Sequence, residues 1–143
     1  MANTIPFSFR GALFSGQHNF ASGGNVFKVS LYTADPYTTA STVYSATSEV
    51  STVGTNYVVK ILASQTVASS TAVASVDFAN VTWTTATFTA AYAAIYNSDT
   101  VQSLANRLVV VLDFGGNKTA TNGDFTIVFP DPTTPANAII SMS

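Results

Sequence analysis

The sequence predicts an all-β chain: a single antiparallel β-sandwich or barrel-like domain with a short N-terminal helix or extended arm. About seven segments of strand length follow one another, each bounded by turn residues such as Gly, Asn, Asp or Pro. Within them, apolar residues recur with the two-residue period of a strand that buries one face. A length of 143 residues suits one domain with a sizeable core.

The N-terminal segment, residues 1–25, is the least strand-like part and precedes the predicted β domain of residues 26–143. Ser8 to Phe14 can form a short helix, with Ser8 as its N-cap and Gly16 as its stop. Three large aromatic residues stand in this otherwise open segment: Phe7, Phe14 and Phe20. The segment therefore either folds back to cap the core or lies on another subunit.

Two strands are predicted in the first half of the β domain. The first runs from Val26 to Thr33 and ends before Asp35-Pro36, because Pro36 cannot donate to a sheet. Its expected inward residues are Phe27, Val29 and Leu31, and its expected outward residues are Lys28 and Ser30. The second runs from Tyr57 to Ala63, with one side formed by Tyr57, Val59 and Ile61.

A long polar loop, residues 37–56, is predicted between these strands and can hold a short strand or helical turn near Ser45 to Val50. Its anchors are Tyr37, Tyr44 and Val50. Loops of this length in compact domains are commonly functional or disordered. We expect this one to contact a neighbouring molecule.

The stretch from Val73 to Phe129 predicts three or four adjoining strands, and a polar turn region, Ser64 to Thr71, precedes it. Three sets of residues are each expected to share a face: Phe88, Ala90, Tyr92, Ala94 and Tyr96; Leu108, Val110, Leu112 and Phe114; Phe125, Ile127 and Phe129. The predicted breaks are Asn80 to Thr85, Asn97 to Asn106 and Gly115 to Gly123. A connector with Pro130, Pro132 and Pro135 leads to a closing strand, Ala138 to Met142.

The composition narrows the function classes. Charged residues make up only 8% of the chain, against roughly 25% in a typical protein, which indicates a subunit whose surface is shared with neighbours. A net charge of −2 with scattered Lys and Arg argues against nucleic acid as a partner. No apolar run approaches the roughly 20 residues of a membrane helix, so we expect no membrane partner. The absence of cysteine excludes disulfides and thiolate chemistry.

Candidate catalytic residues are few, and we expect no enzyme and no cofactor. His18 is the single histidine, and its Gly/Asn/Ser surroundings indicate a loop residue that contacts solvent or a neighbour. Asp113 and Asp124 flank a predicted hairpin and resemble the carboxylate pair of a glycosidase only in their proximity. Beside Gly-Gly and Asn-Gly they are more typical of turn residues. The run between them lacks the spacing of a calcium loop, so we expect no metal site.

The chain resembles a group of small tailed-bacteriophage virion proteins. The matching segments occur in the same order over most of the sequence: His18–Phe20, Phe27–Thr33, Tyr44–Val50, Val76–Trp83, Ala93–Asn97, Val110–Thr119 and Gly123–Pro130. The resemblance implies a structural protein of the particle, similar to the decoration (cement) proteins that clamp adjacent coat subunits on the capsid surface. It would be synthesised in the host cytoplasm and bind the major capsid protein, with a homotrimer as the expected assembly.

The interface residues expected from this resemblance lie in the N-terminal segment and the polar loop: Phe7, Phe14, His18, Phe20, Tyr37, Tyr44 and Val50. Two other functions stay open. A tail, neck or tail-fibre-associated protein fits the same low charge. A carbohydrate- or host-surface-binding module would need an exposed aromatic platform, for which Trp83 is the candidate.

Overall fold

The computed structural model describes residues 3–69, 72–100, 103–130 and 138–142, and it confirms the predicted all-β fold with a short N-terminal helix. The elements in chain order are α1 (Phe7–Phe14), β1 (Phe27–Tyr32), β2 (Lys60–Ile61), β3 (Thr66–Ser69), β4 (Ala74–Asp77), β5 (Val81–Asn97), β6 (Arg107–Ile127) and β7 (Ile140–Met142). They form a four-stranded sheet of order β2-β1-β5-β6 and a three-stranded sheet of order β3-β4-β7, both antiparallel.

Two apolar clusters organise the domain. The main core joins Phe9 of α1, most inward residues of the larger sheet and Ile140 of β7. A second group lies on the opposite face of the larger sheet, and we call it the tyrosine cluster: Tyr32, Tyr37, Ala94, Leu108 and Val111, with Tyr92 packed against them. The larger sheet is therefore covered on both faces near the tyrosine cluster.

Helix α1 begins one residue earlier than predicted. Pro6 occupies the N-cap position with φ −62°, and Ser8 donates its hydroxyl to the Ser41 carbonyl over 3.0 Å instead of capping the helix. The predicted stop at Gly16 is confirmed, because Gly16 has φ +66° and its N–H donates to the Leu13 carbonyl. Gln17 N–H donates to the Ala12 carbonyl, which completes a Schellman ending.

Strand β1 confirms the predicted inward residues, but one predicted outward residue is buried. Phe27, Val29 and Leu31 are fully buried in the main core. Ser30, expected to face solvent, is also fully buried and lies 2.8 Å from the Tyr32 hydroxyl. The polar loop and the tyrosine cluster cover this second face, which the alternation within one strand does not reveal.

The predicted second strand shrinks to Lys60–Ile61, and its pattern is only partly right. Tyr57 is buried, but Ile61 is 64% exposed and Leu62 is buried in its place. The predicted turn region Ser64 to Thr71 was wrong at its centre, because Thr66–Ser69 is a strand that pairs with β4. The side chains of that strand are largely exposed, so the sequence there shows no alternation of apolar and polar residues that would predict a strand.

Strands β5 and β6 form one long antiparallel ribbon, where the sequence predicted separate strands. β5 has 17 residues and includes most of the predicted break before Ala86, and β6 has 21 and includes the predicted turn at Gly115 to Gly123. The pairs Ala90–Lys118 and Tyr92–Asp113 leave the four residues 114–117 of β6 opposite the single residue Ala91, which is a bulge larger than the common two-residue kind. Gly115 at φ +71° and Gly116 at φ +130° supply the backbone that this bulge requires.

The irregular pairing register of β5 and β6 explains why some residues that were predicted to share one face of a strand lie on opposite faces. Phe88 and Ala90 enter the main core, but after the bulge Ala93 and Ile95 do so, while Tyr92 and Ala94 move to the tyrosine cluster. A register shift by an odd number of residues exchanges the two faces of one strand relative to its partner. The same effect at the shift between Ile95 and Tyr96 moves Leu108 to the tyrosine cluster.

Three further predictions concern the end of the chain. Val110, Leu112 and Phe114 do share the main core, as do Phe125, Ile127 and Phe129. The closing strand is present as Ile140–Met142. Pro132 and Pro135 of the predicted connector lie outside the described residues.

Candidate functional site

Helix α1 presents two phenylalanines to solvent on a single face. Phe9 and Ala12 point into the protein and are buried. Phe7, Arg10, Gly11 and Phe14 follow the i, i+3, i+4, i+7 spacing of the opposite face and are all exposed. Phe7 is 61% and Phe14 95% exposed, and the Arg10 guanidinium lies 5.7 Å from the Phe7 ring centroid. We call these four residues the outer face of α1.

The loop after α1 folds back into the core. Phe20 stacks on Phe27 with centroids 4.4 Å apart, and Phe9 lies 5.1 Å from the His18 ring. Gly24 allows the tight return of this loop, because a Cβ there would collide with the Asn19 carbonyl oxygen. Of the two possibilities for this segment, the folded-back one holds for the loop.

His18 is buried, so its interpretation as a loop residue in contact with solvent was wrong. The Asp99 N–H donates to Asn97 Oδ1 over 3.1 Å, which turns the Asn97 Nδ2 toward His18 Nδ1 at 3.1 Å. His18 Nδ1 is therefore the acceptor, and in the neutral ring Nε2 carries the hydrogen. Burial, and then the positive charge of Arg107, lower the pKa of His18 to about 4. The imidazole is uncharged at neutral pH.

A network of hydroxyl groups holds the first part of the polar loop on the sheet. The Tyr32 and Tyr37 hydroxyls are 2.7 Å apart, and Tyr32 donates to the Ser45 carbonyl over 2.8 Å. Glu49 accepts hydrogen bonds from Tyr44 and Tyr57. Burial raises the pKa of all four tyrosines, so they are protonated donors at neutral pH. Residues 37–50 are thus an ordered layer over the sheet.

The two candidate carboxylates hold backbone groups. Asp113 Oδ1 accepts from the Gly115 N–H over 2.8 Å and supports the bulge, as its turn-residue interpretation predicts. Asp124 Oδ1 accepts from the Thr85 N–H over 3.3 Å on the neighbouring strand. Within the described ranges, no group of three His, Asp or Glu side chains comes together where it could hold a metal ion.

Trp83 does not provide a platform for sugars. Its side chain is only 1% exposed, and its Nε1–H donates to the Val58 carbonyl over 2.7 Å. Tyr57, Phe88 and Phe125 pack around it. The carbohydrate-binding alternative loses the residue on which it depended.

The outer edge of β6 lies beside a groove of about 590 Å³ that has both apolar and polar walls. Thr4 pairs with Val111 and Val43 with Arg107 at the beginning of this edge. From Leu112 to Ile127, no described strand pairs with it. The groove beside it is lined in part by Phe114, Phe125, Ile127, Phe129 and Ile139. An open edge next to apolar side chains is a surface on which an extended segment can add.

The seven expected interface residues separate into two groups. Phe7 and Phe14 are exposed, and Tyr44 is partly exposed. His18, Phe20, Tyr37 and Val50 are buried within this chain, where they support the fold. Sequence reasoning missed Arg10 and Gly11 between the two exposed phenylalanines, although helical spacing from Phe7 would have found them. It also missed the β6 edge, because the Gly-rich run indicated a turn.

Comparison of the chain with family models, curated proteins and solved structures finds no match. In the described part of the chain, no helix is long and apolar enough to cross a membrane.

Proposed function

We propose that this protein is a structural subunit of a bacteriophage particle, and specifically a capsid decoration protein that binds the major capsid protein on the outer shell. The sequence resemblance supplies the class. The folded β-domain supports the proposal because its N-terminal helix exposes apolar side chains on the outer face of α1. The protein acts by binding, and a homotrimer is the assembly that we propose.

The exposure of Phe7 and Phe14 on the outer face of α1 carries this proposal. Burying one such side chain contributes about 1.5–3 kcal/mol, so leaving two of them in water has a cost that a partner removes. A surface helix that only covered its own core would carry polar residues here. Gly11 lies between the two rings and has no side chain, so a partner can approach the outer face of α1 closely at this point. Nothing lies within 4 Å of the position of a Cβ there.

Surface chemistry elsewhere supports a neighbour-sharing role. The chain has only 12 charged residues, as the sum of five Lys or Arg and seven Asp or Glu. The unpaired length of β6 and the groove beside it offer a second contact region that adjacent subunits can cover. Several modest contacts repeated over a shell would add up even after the ordering cost of each association.

The same features suit a tail or neck component, and copy number separates the two functions. We expect quantitative mass spectrometry of purified virions to find this protein in numbers comparable to the major coat protein. A handful of copies per particle would place it in the tail or neck, and its absence from the particle would overturn both assignments.

The role of the helix is tested by co-sedimentation with capsids that lack the protein. The double variant Phe7→Ser and Phe14→Ser should lose binding. The matched control, Val58→Ser and Ile61→Ser, alters two exposed apolar residues outside α1 and outside the polar loop, and it should bind like the wild type. Equal binding of both double variants would rule out α1 as the contact.

A further inference from the structure

A largely apolar cavity of about 420 Å³ lies between α1, the loop after it and the smaller sheet. Its walls include Phe9, Leu13, Phe20, Val76 and Ile140. This volume is within the range of about 300–1,000 Å³ that is typical of small-molecule sites. The cavity is separate from the outer face of α1, because Phe9 and Leu13 line it from the inner side of the helix.

His18 places an unused hydrogen-bond donor at this cavity. The His18 residue is only 8% exposed, and it lines the cavity. Since Nδ1 accepts from Asn97, Nε2 carries the hydrogen, and this buried Nε2 has no hydrogen-bond partner. A buried donor without an acceptor costs about 1–3 kcal/mol, so an acceptor that reaches it is favoured.

Ser75 provides a second unused polar group at the same cavity. It lies on β4, is 3% exposed, and its Oγ is buried without a hydrogen-bond partner. A serine hydroxyl both donates and accepts. Two unpartnered polar groups on otherwise apolar walls are the arrangement expected of a site for a ligand with one polar end.

The electrostatics of the walls favour an uncharged ligand. None of the described residues that line the cavity carries a charge, and the neutral state of His18 adds none. Behind the walls, Arg107 acts on His18, and Asp77 lies two residues from Ser75 on β4. Desolvating an ionised head group against these largely apolar walls is costly, so an uncharged ligand is favoured.

We propose that this cavity binds an uncharged amphipathic molecule that has a medium-length apolar chain and a single hydroxyl or carbonyl oxygen. The oxygen accepts from His18 Nε2–H and hydrogen-bonds with Ser75 Oγ. The chain lies along the apolar walls toward the exposed side chains of Val67 and Met142, which also line the cavity. This site is independent of the proposed role on a capsid.

The test uses 1-octanol as the probe and the single imidazole of the chain as the reporter. Long-range ¹H–¹⁵N spectra of the ¹⁵N-labelled full-length protein should show a saturable shift of the His18 Nε2 resonance. Octanoate, with the same chain and a charged head, should bind at least about tenfold more weakly. Ser75→Ala should weaken 1-octanol binding by about three- to tenfold.

A matched pair of variants localises the binding. Val67→Trp at the cavity should abolish the shift, and Val53→Trp, another exposed valine at a distant loop, should leave it unchanged. The proposal is overturned if 1-octanol produces no saturable shift up to its solubility limit, because the two buried polar atoms would then be out of reach of a ligand in the cavity. The proposal would also be overturned if 1-octanol bound to the Val67→Trp variant as tightly as to the wild type. Binding of octanoate as tight as that of 1-octanol would overturn it too.

Discussion

Oε1 of Glu49 accepts a hydrogen bond of 2.5 Å from the hydroxyl of Tyr57, which is buried beside the indole of Trp83. The same hydroxyl accepts from the Leu31 N–H over 3.0 Å, so one tyrosine joins the polar loop, strand β1 and the main core. This relationship explains how a loop rich in Ser and Thr becomes an ordered layer.

Glu49→Ala should lower the free energy of unfolding by about 1.5–3 kcal/mol, because the buried Tyr57 hydroxyl loses its charged acceptor. Urea unfolding monitored by circular dichroism measures the change. Glu49→Gln keeps an oxygen acceptor and should cost less. If the alanine variant is as stable as the wild type, the loop is not held by this carboxylate.

Acidification should destabilise the fold through His18. Its folded-state pKa of about 4 lies below the ordinary value of 6.5, so the unfolded chain takes up the proton first. The contribution is complete above about pH 6.5 and is lost as the pH falls toward 4. Unfolding free energies measured between pH 7 and 4 should fall more steeply for the wild type than for His18→Gln. Parallel curves would contradict the buried neutral imidazole, since the carboxylates titrate in both proteins.

Truncation to alanine should affect the stability of the protein very differently at two phenylalanines of α1. Phe9→Ala should cost about 3–5 kcal/mol, because the ring is 2% exposed and leaves a cavity in the main core. Phe14→Ala should change stability by less than about 0.5 kcal/mol, because its ring is in water. Thermal or urea denaturation distinguishes them. A large loss for Phe14→Ala would mean that the outer face of α1 is packed and unavailable to a partner.

Two glycines offer a similar contrast. Gly11→Ala should stabilise the protein by about 0.5–1 kcal/mol, because the position is helical and open. Gly24→Ala should destabilise it by about 1–3 kcal/mol, because the new methyl group meets the Asn19 backbone. Equal effects in a urea titration would show that the loop after α1 does not make the close return described.

The site was less predictable than the fold. Phe7 and Phe14 were named from their size and their open surroundings, and both are exposed. Phe20 and His18 satisfied the same criteria, but the chain folds back at Gly24 and buries them. The exposure of a side chain depends on which residues from distant parts of the chain pack against it, and a local sequence pattern does not predict those contacts.

Local chemistry in the sequence determined the all-β class, the inward face of β1 and the stop signal at Gly16 after α1, because strand period and glycine conformation act over a few residues. Tertiary structure alone decided the rest. The ribbon of β5 and β6 keeps its pairing through bulges that exchange its faces, and Ser30 and Tyr37 are buried because a second layer lies over the sheet. These outcomes depend on cross-strand register and long-range packing, in which each residue's environment is set by partners far away in the sequence.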